Sequence, residues 1–356
     1  MIDTCMIKTD ELAEEYWLPL AKKVLEEGGL IGIPTETVYG LAGNALDPLA
    51  SQKIYAAKGR PSDNPLIVHI ADMEMLPELV KRIPETAVKI ADAFWPGPLT
   101  IIMEKSEIVP YETTGGLDTV AIRMPSHPIA NRLIGMSRIP LAAPSANTSG
   151  RPSPTRASHV YEDLNGKIEM ILDGGDVGIG IESTIIDVTG DTPMILRPGY
   201  ITKAMLEEVV GTVLVDPAVA DESGSGDFRP KAPGMKYKHY APKGELKIIS
   251  GEQASVVEKI IQMAQSRLEE GASVGIIATD ETEKAYDTLK AQGAVLMNIG
   301  TRKDEDTIIH NLFDVLRRMD GAGVKYIFSE SFEEGDRGMA IMNRLLKAAG
   351  YDRIFV

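Results

Sequence analysis

Apolar positions recur along the first part of the chain in two alternating rhythms. Residues 10–27 carry helical spacing and stop at Gly28-Gly29, and the all-apolar run 30–33 then reads as a strand. Residues 47–58 predict a helix with Asp47 as its cap and Pro48 at its first position. Short aliphatic runs at 66–70, 99–104, 119–124, 170–173 and 184–188 predict strands, with helices near 86–94 and 128–136. This is an α/β pattern. Gly, Pro, Ser, Thr and charged residues gather at the strand ends, as they do where a sheet presents a site along one edge.

A second unit follows Pro242. Strand-like runs at 245–249, 273–278, 295–299 and 325–328 are separated by helical segments near 254–270, 282–292, 307–319 and 339–348. Strands spaced by helices imply parallel pairing in a Rossmann-like, doubly wound sheet. Gly321-Ala322-Gly323 precedes a strand instead of opening a helix, so it is no dinucleotide fingerprint, and an accessory or interaction role is the better expectation. Gly335-Asp336-Arg337-Gly338 stands at a helix start, where it could hold an anion; a capping role is preferred.

Between the units, residues 217–230 include Ser223-Gly224-Ser225-Gly226, a flexible composition. What comes next is richer. Arg229, Lys231, Lys236, Lys238 and Lys243 crowd around the rings of Tyr237, His239 and Tyr240. Such a segment could close over a site as a lid, although amphipathic rings also seal seams between domains. The expected division is therefore residues 1–210, a linker or lid over 211–242, and 243–356.

The 356 residues and 44% hydrophobic content suffice for two cores, and aromatics at 5% make those cores aliphatic. No apolar run reaches the length of a membrane span, and the first residues show no signal-like pattern, so a cytoplasmic location is expected. Cys5 is the single cysteine and reads as an incidental thiol. The net charge is −15, of which residues 1–210 hold −11, with 18 Lys and Arg against 29 Asp and Glu. So acidic a chain is a poor general binder of nucleic acid, and contact with RNA is expected to be local or supplied by a partner.

The chemistry sits in the loops. Lys58-Gly59-Arg60-Pro61-Ser62-Asp63-Asn64-Pro65 opens onto the apolar run Leu66-Ile67-Val68-His69-Ile70 and offers two cations with two neutral donors, a grip for a polyanion. Lys58, Arg60, Asn64, Ser145, Ser153 and Arg197 are the set available to a triphosphate, since no Walker sequence occurs. The planar fork of Arg123 suits a carboxylate, with Thr37, Ser183 and His69 as short neutral partners. A lone His in an apolar run is ordinarily a hydrogen-bonded core residue, and its place directly after the phosphate loop argues for more.

Three further loops, Pro34-Thr35-Glu36-Thr37-Val38-Tyr39-Gly40, Ala143-Pro144-Ser145-Ala146-Asn147-Thr148-Ser149 and Ser183-Thr184, are followed by Arg197-Pro198-Gly199. Singly each is an ordinary hydroxyl-rich turn. In this order, with the Lys-x-Arg-x-x-x-Asn-Pro core, residues 12–199 resemble the YrdC-type threonylcarbamoyl-adenylate synthase family. Residues 233–242 (PGMKYKHYAP) resemble the linker of its long, two-domain form. The resemblance implies a YrdC-like twisted mixed sheet followed by a linker and a smaller Rossmann-like domain.

It also implies roles. Arg60, Asn64, Thr119, Ser145, Ser153, Arg197 and the linker Tyr237 would bind ATP, with Lys58 and Arg60 catalytic at the phosphates. Thr37, His69, Arg123, the Ala143 backbone and Ser183 would bind L-threonine. The implied reaction condenses L-threonine, bicarbonate or carbon dioxide, and ATP into threonylcarbamoyl-adenylate and pyrophosphate, destined for tRNA adenosine through a downstream transferase. Magnesium would come in on the ATP phosphates, which the lack of an obvious acidic cage in the sequence suits. Two alternatives differ in class. A non-catalytic RNA-binding module is opposed by the acidic charge, and a carbamoyl-adenylate enzyme of hydrogenase maturation is opposed by the single cysteine, which leaves no finger.

Overall fold

A computed structural model describes residues 2–220, 239–332, 335 and 337–356. It divides into two compact units. One holds the described residues up to Ser149 and Ser153–Ala220; the other holds Gly150–Pro152 and the described residues from 239 onward. Among the described residues no helix is long and apolar enough to cross a membrane.

The first unit is built on a mixed sheet of β1 (Cys5–Lys8), β2 (Ile31–Ile33), β3 (Gly40–Asn44), β4 (Ile67–His69), β5 (Leu99–Glu104), β6 (Thr119–Arg123), β7 (Leu141–Ala142), β8 (Met170–Asp173), β9 (Thr184–Asp187), β10 (Met194–Arg197) and β11 (Leu214–Val215). Their order across the sheet is β1-β8-β2-β3-β7-β4-β6-β5-β9-β10-β11. Strand β11 pairs with β10 in parallel and so carries the first unit past residue 210. Helix Glu14–Glu26 starts later than its apolar spacing predicts and buries Trp17, Leu18, Ala21 and Leu25, one stripe at helical spacing. Helix Pro48–Lys58 begins as expected: the Asp47 carboxylate accepts the Leu49 N–H at 2.9 Å. It ends at Gly59, whose φ of 61° lies in the left-handed region that glycine adopts without strain.

The two faces of the strands β4, β6, β5, β9 and β10 have different fates, and the register decides which residue goes where. Val68, Ile122, Ile101, Ile186 and Ile195 align across these strands and join the main core. The alternate positions Ile67, Ala121, Ile102, Ile185 and Leu196 form a small apolar cluster of their own. His69, Arg123 and Thr100 continue that second face along β4, β6 and β5. A register shift between Ile195 and Arg197 sets Arg197 opposite Ile185. Polar groups thus border an apolar floor.

The second unit carries β12 (Glu245–Ser250), β13 (Val274–Ala278), β14 (Val295–Asn298), β15 (Tyr326–Glu330) and β16 (Arg353–Phe355), in the order β14-β13-β15-β12-β16 with every pair parallel. Strand β15 lies between β12 and β13, so the order is not the 3-2-1-4-5 of a dinucleotide-binding sheet. The segment predicted helical at 282–292 is a 3₁₀ turn, Glu283–Tyr286, followed by the short helix Asp287–Ala291. Tyr286 is drawn into the core there and its hydroxyl bonds the buried Glu330 at 3.1 Å. Helix Gly338–Ala349 has no side-chain cap at Arg337, which turns its backbone N–H to Glu305 at 3.0 Å and its guanidinium to Asp306. Tyr240 is buried, its ring 5.0 Å from that of Phe313. Tyr237, Arg229, Lys231, Lys236 and Lys238 lie outside the described residues, as does Asp336.

Candidate active site

The phosphate-type loop is anchored by its lysine. Lys58 closes its helix almost wholly buried, and its ammonium donates to the Ser145 carbonyl and, at 2.6 Å, to the Asn147 carbonyl. Its charge therefore ties two loops that lie 87 residues apart in sequence. Ser145 Oγ in turn donates to Asn147 Oδ1 at 2.6 Å. Arg60 is half-buried and folds back on its own loop, donating to the Pro65 carbonyl at 3.0 Å and more weakly to that of Asn64. Asn64 is 1% exposed, and its side-chain oxygen has no hydrogen-bond partner among the described residues. A buried acceptor left unpaired is costly unless something fills the place.

At the far end of β4 and β6 stand the residues expected to take an amino acid. Thr119 begins β6 and Arg123 ends it, four steps or about 13 Å apart. His69 is paired in register with Arg123. It is 2% exposed and its Nδ1 contacts the Ile67 carbonyl at 3.1 Å; burial, aided by the Arg123 charge, pushes its pKa down to about 3, so the imidazole is neutral. The Arg123 guanidinium donates to Thr37 Oγ1 at 2.9 Å and lies 2.8 Å from the carboxylate of Glu36. Burial pushes the Glu36 carboxyl up, yet the Arg123 charge prevails and holds it below the ordinary carboxylate range. The Ala143 N–H is committed to the Ile67 carbonyl at 2.9 Å.

Ser183 links the two expected sets. Its carbonyl accepts from Arg197 Nη2 at 2.9 Å and from Nε at 3.1 Å, while its hydroxyl shares a 2.7 Å bond with Thr100. Arg197, expected with the nucleotide, is thus tied to a residue expected with the amino acid. Ser153 is fully buried, its hydroxyl bonded to Glu182. The sequence reading left out Glu36, Thr100, Asn147 and Glu182. Glu36 and Glu182 did carry a signal, an acid set directly beside a hydroxyl residue in a stretch with no other charge.

A family model described as telomere recombination, covering Sua5, YciO and YrdC proteins, matches residues 23–199, and one described as the threonylcarbamoyl-AMP synthase C-terminal domain matches residues 201–350. The threonylcarbamoyl-AMP synthase of Pyrococcus abyssi is 49% identical over 348 residues, which cover 98% of each chain. This chain belongs to the threonylcarbamoyl-AMP synthase family. A second member, from Bacillus subtilis, is 46% identical over 344 residues, 96% of each chain. The solved structure of P. abyssi Sua5 complexed with L-threonine matches with a TM-score of 0.90 at 47% identity, covering 100% of this chain and 99% of that one. The synthase fold, a YrdC-type unit followed by a parallel-sheet unit, is therefore the fold of this protein.

Proposed function

We propose that this protein condenses L-threonine, bicarbonate or carbon dioxide, and ATP into threonylcarbamoyl-adenylate, releasing pyrophosphate. The observation that carries the reading is the second face of strands β4, β6, β5, β9 and β10. Polar residues gather there around an apolar floor, in a chain alike over its whole length to a Sua5 solved with L-threonine. In this reading Arg60, Asn64, Thr119, Ser145, Ser153, Arg197 and Tyr237 serve ATP. Thr37, His69, Arg123, Ala143 and Ser183 serve threonine, and Lys58 and Arg60 are the catalytic cations.

No residue has to become a covalent nucleophile. The threonine amine is first carboxylated, and the carbamate oxygen then attacks the α-phosphorus in line, displacing pyrophosphate. Catalysis rests on positioning and on cations that meet the developing charge. A magnesium ion carried on ATP phosphates would be met by the Asn64 side-chain oxygen, unpaired among the described residues, as an acceptor, with the Arg60 guanidinium facing the phosphate oxygens; the ion would neutralise phosphate charge. No group of three or more acidic, His or Cys side chains among the described residues offers a cage for it.

In this reading residues 211–242 are the linker, of which 228–242 act as a lid that keeps water from the labile adenylate, with residues 1–210 as the catalytic part and 243–356 as an accessory domain. The product passes in the cytoplasm to a transferase that modifies tRNA adenosine. Incubation with ATP, magnesium, bicarbonate and single amino acids tests the proposal. Pyrophosphate and adenylate should form with threonine, and release that ignores the amino acid supplied would overturn it.

A further inference from the structure

A buried carboxylate without hydrogen bonds is costly. The Glu36 side chain is 13% exposed; besides Arg123, the backbone N–H groups of Glu36 itself and of Ser126 face its carboxylate, but neither oxygen completes an aligned hydrogen bond among the described residues. Arg123 Nη2 stands 2.8 Å from Oε1, close enough to attract, but it too completes no aligned hydrogen bond. The other arms of Arg123 are engaged, Nη1 with Thr37 Oγ1 at 2.9 Å and Nε with the Gly97 carbonyl at 3.4 Å. A pair built for stability alone would close fork to fork. This pair meets off-line, so that Arg123 Nη2 and both Glu36 oxygens are held near charge without an aligned hydrogen bond.

The turn that carries Glu36 is pinned. Thr35 Oγ1 donates to the Val38 carbonyl at 2.7 Å and accepts the N–H groups of Thr37 and Val38, while the Glu36 carbonyl accepts the Ile179 N–H at 2.8 Å. The carboxylate is thus presented from fixed backbone, as a preorganised receptor requires.

We propose that Glu36 receives the α-ammonium of the amino-acid substrate while Arg123 receives its carboxylate, so that the zwitterion replaces the contact these two side chains make with each other. The proposal rests on reading the first unit as a threonine-activating site and adds a residue that this reading leaves without a task. A zwitterion brings no net charge, supplies donors to both oxygens of Glu36 and gives Arg123 Nη2 an acceptor.

Glu36 then has a chemical use as well. The ammonium must lose a proton before it can be carboxylated. That proton passes to the Glu36 carboxylate, and the N–H bonding pair stays on nitrogen as its lone pair. The lone pair forms the new N–C bond to carbon dioxide as one C=O π pair moves onto oxygen, and a second N–H proton leaves to water, giving the carbamate. The groups facing Glu36 are Arg123 from β6, His69 from β4 and His127 at the start of helix Pro128–Ser137; burial lowers the pKa of both imidazoles. Once the proton has passed to Glu36 the substrate amine is neutral and its carboxylate is paired with Arg123, so burial favours the neutral Glu36 carboxyl.

Calorimetry on the full-length protein with L-threonine and with 2,3-dihydroxybutyrate, in which a hydroxyl replaces the ammonium, tests this. Wild type should prefer threonine by about ten-fold or more, the worth of a charge-assisted contact. Glu36→Gln should abolish the preference and raise KM for threonine while leaving KM for ATP unchanged. Glu36→Asp keeps the counter-charge that Arg123 needs, so it serves if Gln does not fold; its shorter reach should weaken threonine several-fold and spare the hydroxy acid. An unchanged preference in a folded variant overturns the role of Glu36 alone. Wild type that releases no pyrophosphate with threonine overturns the functional reading instead.

Discussion

Replacing Arg123 by Met should destabilise the first unit in a manner that depends on pH, because it strands Glu36. The two side chains are 5% and 13% exposed and their charges lie 2.8 Å apart. Removing one partner of so buried a pair leaves the other uncompensated, at a cost of roughly 3–5 kcal/mol near neutral pH. In wild type the carboxyl is held below its ordinary value of 4.5, so its stabilising contribution is complete above that pH and is lost as pH falls through the lower folded value. In Arg123→Met the attraction is gone while burial remains. The carboxyl then rises above its ordinary value and the variant loses stability as pH increases.

The gap between the two proteins should therefore be widest at neutral pH and narrow below about pH 5, where Glu36 can take up a proton. Guanidinium unfolding followed by tryptophan fluorescence measures it cleanly. Both tryptophans of the chain, Trp17 and Trp95, belong to the first unit, so the signal is not mixed with the second. A difference of the same size at pH 4 and pH 8 would show that Arg123 contributes packing rather than charge, and the assignment of the pair would fail.

Arg60→Ala should weaken ATP by ten-fold or more, from the roughly 1.5–3 kcal/mol of a charge-assisted contact; calorimetry with ATP alone checks it, and unchanged affinity refutes it. Lys58→Met removes the donor held by the Ser145 and Asn147 carbonyls, so amides at 145–149 should exchange faster with deuterium, whereas equal exchange would deny the tie between the loops. With its pKa pushed down to about 3, His69 should show flat ring resonances between pH 5 and 8; its neutral form favours folding above the ordinary value of 6.5, and that advantage is lost as pH falls towards 3. A ring titration centred near 6.5 would contradict its burial.

Local chemistry was enough to read several elements from sequence. The Asp47 cap with Pro48 after it defines the start of helix Pro48–Lys58, and the runs at 99–104 and 170–173 are strands at those very bounds. Parallel pairing in the second unit followed from strands spaced by helices, and the order of hydroxyl-rich loops led to the family. Strand β3 escaped notice because Gly40-Leu41-Ala42-Gly43-Asn44 has no β-branched signal. Its glycines answer to neighbours distant in sequence: a Cβ on Gly43 would stand 2.9 Å from Leu30 Cδ2, and one on Gly40 would stand 3.2 Å from the Ala143 Cβ.

Ile101 and Ile102 look alike in sequence, yet one belongs to the main core and the other to the small apolar cluster on the opposite face, because the pleat sends neighbours to opposite faces and only the assembled sheet gives each face its covering. The pairing of buried charges was likewise beyond sequence. Lys58 reaches carbonyls 87 and 89 residues away, and Glu36 meets Arg123 across the same sheet. Residue type determines which charges and hydroxyls the loops can offer. Which of them meet depends on strand order and register, since a side chain reaches only a few ångströms and the chain must fold to bring its partner within that distance.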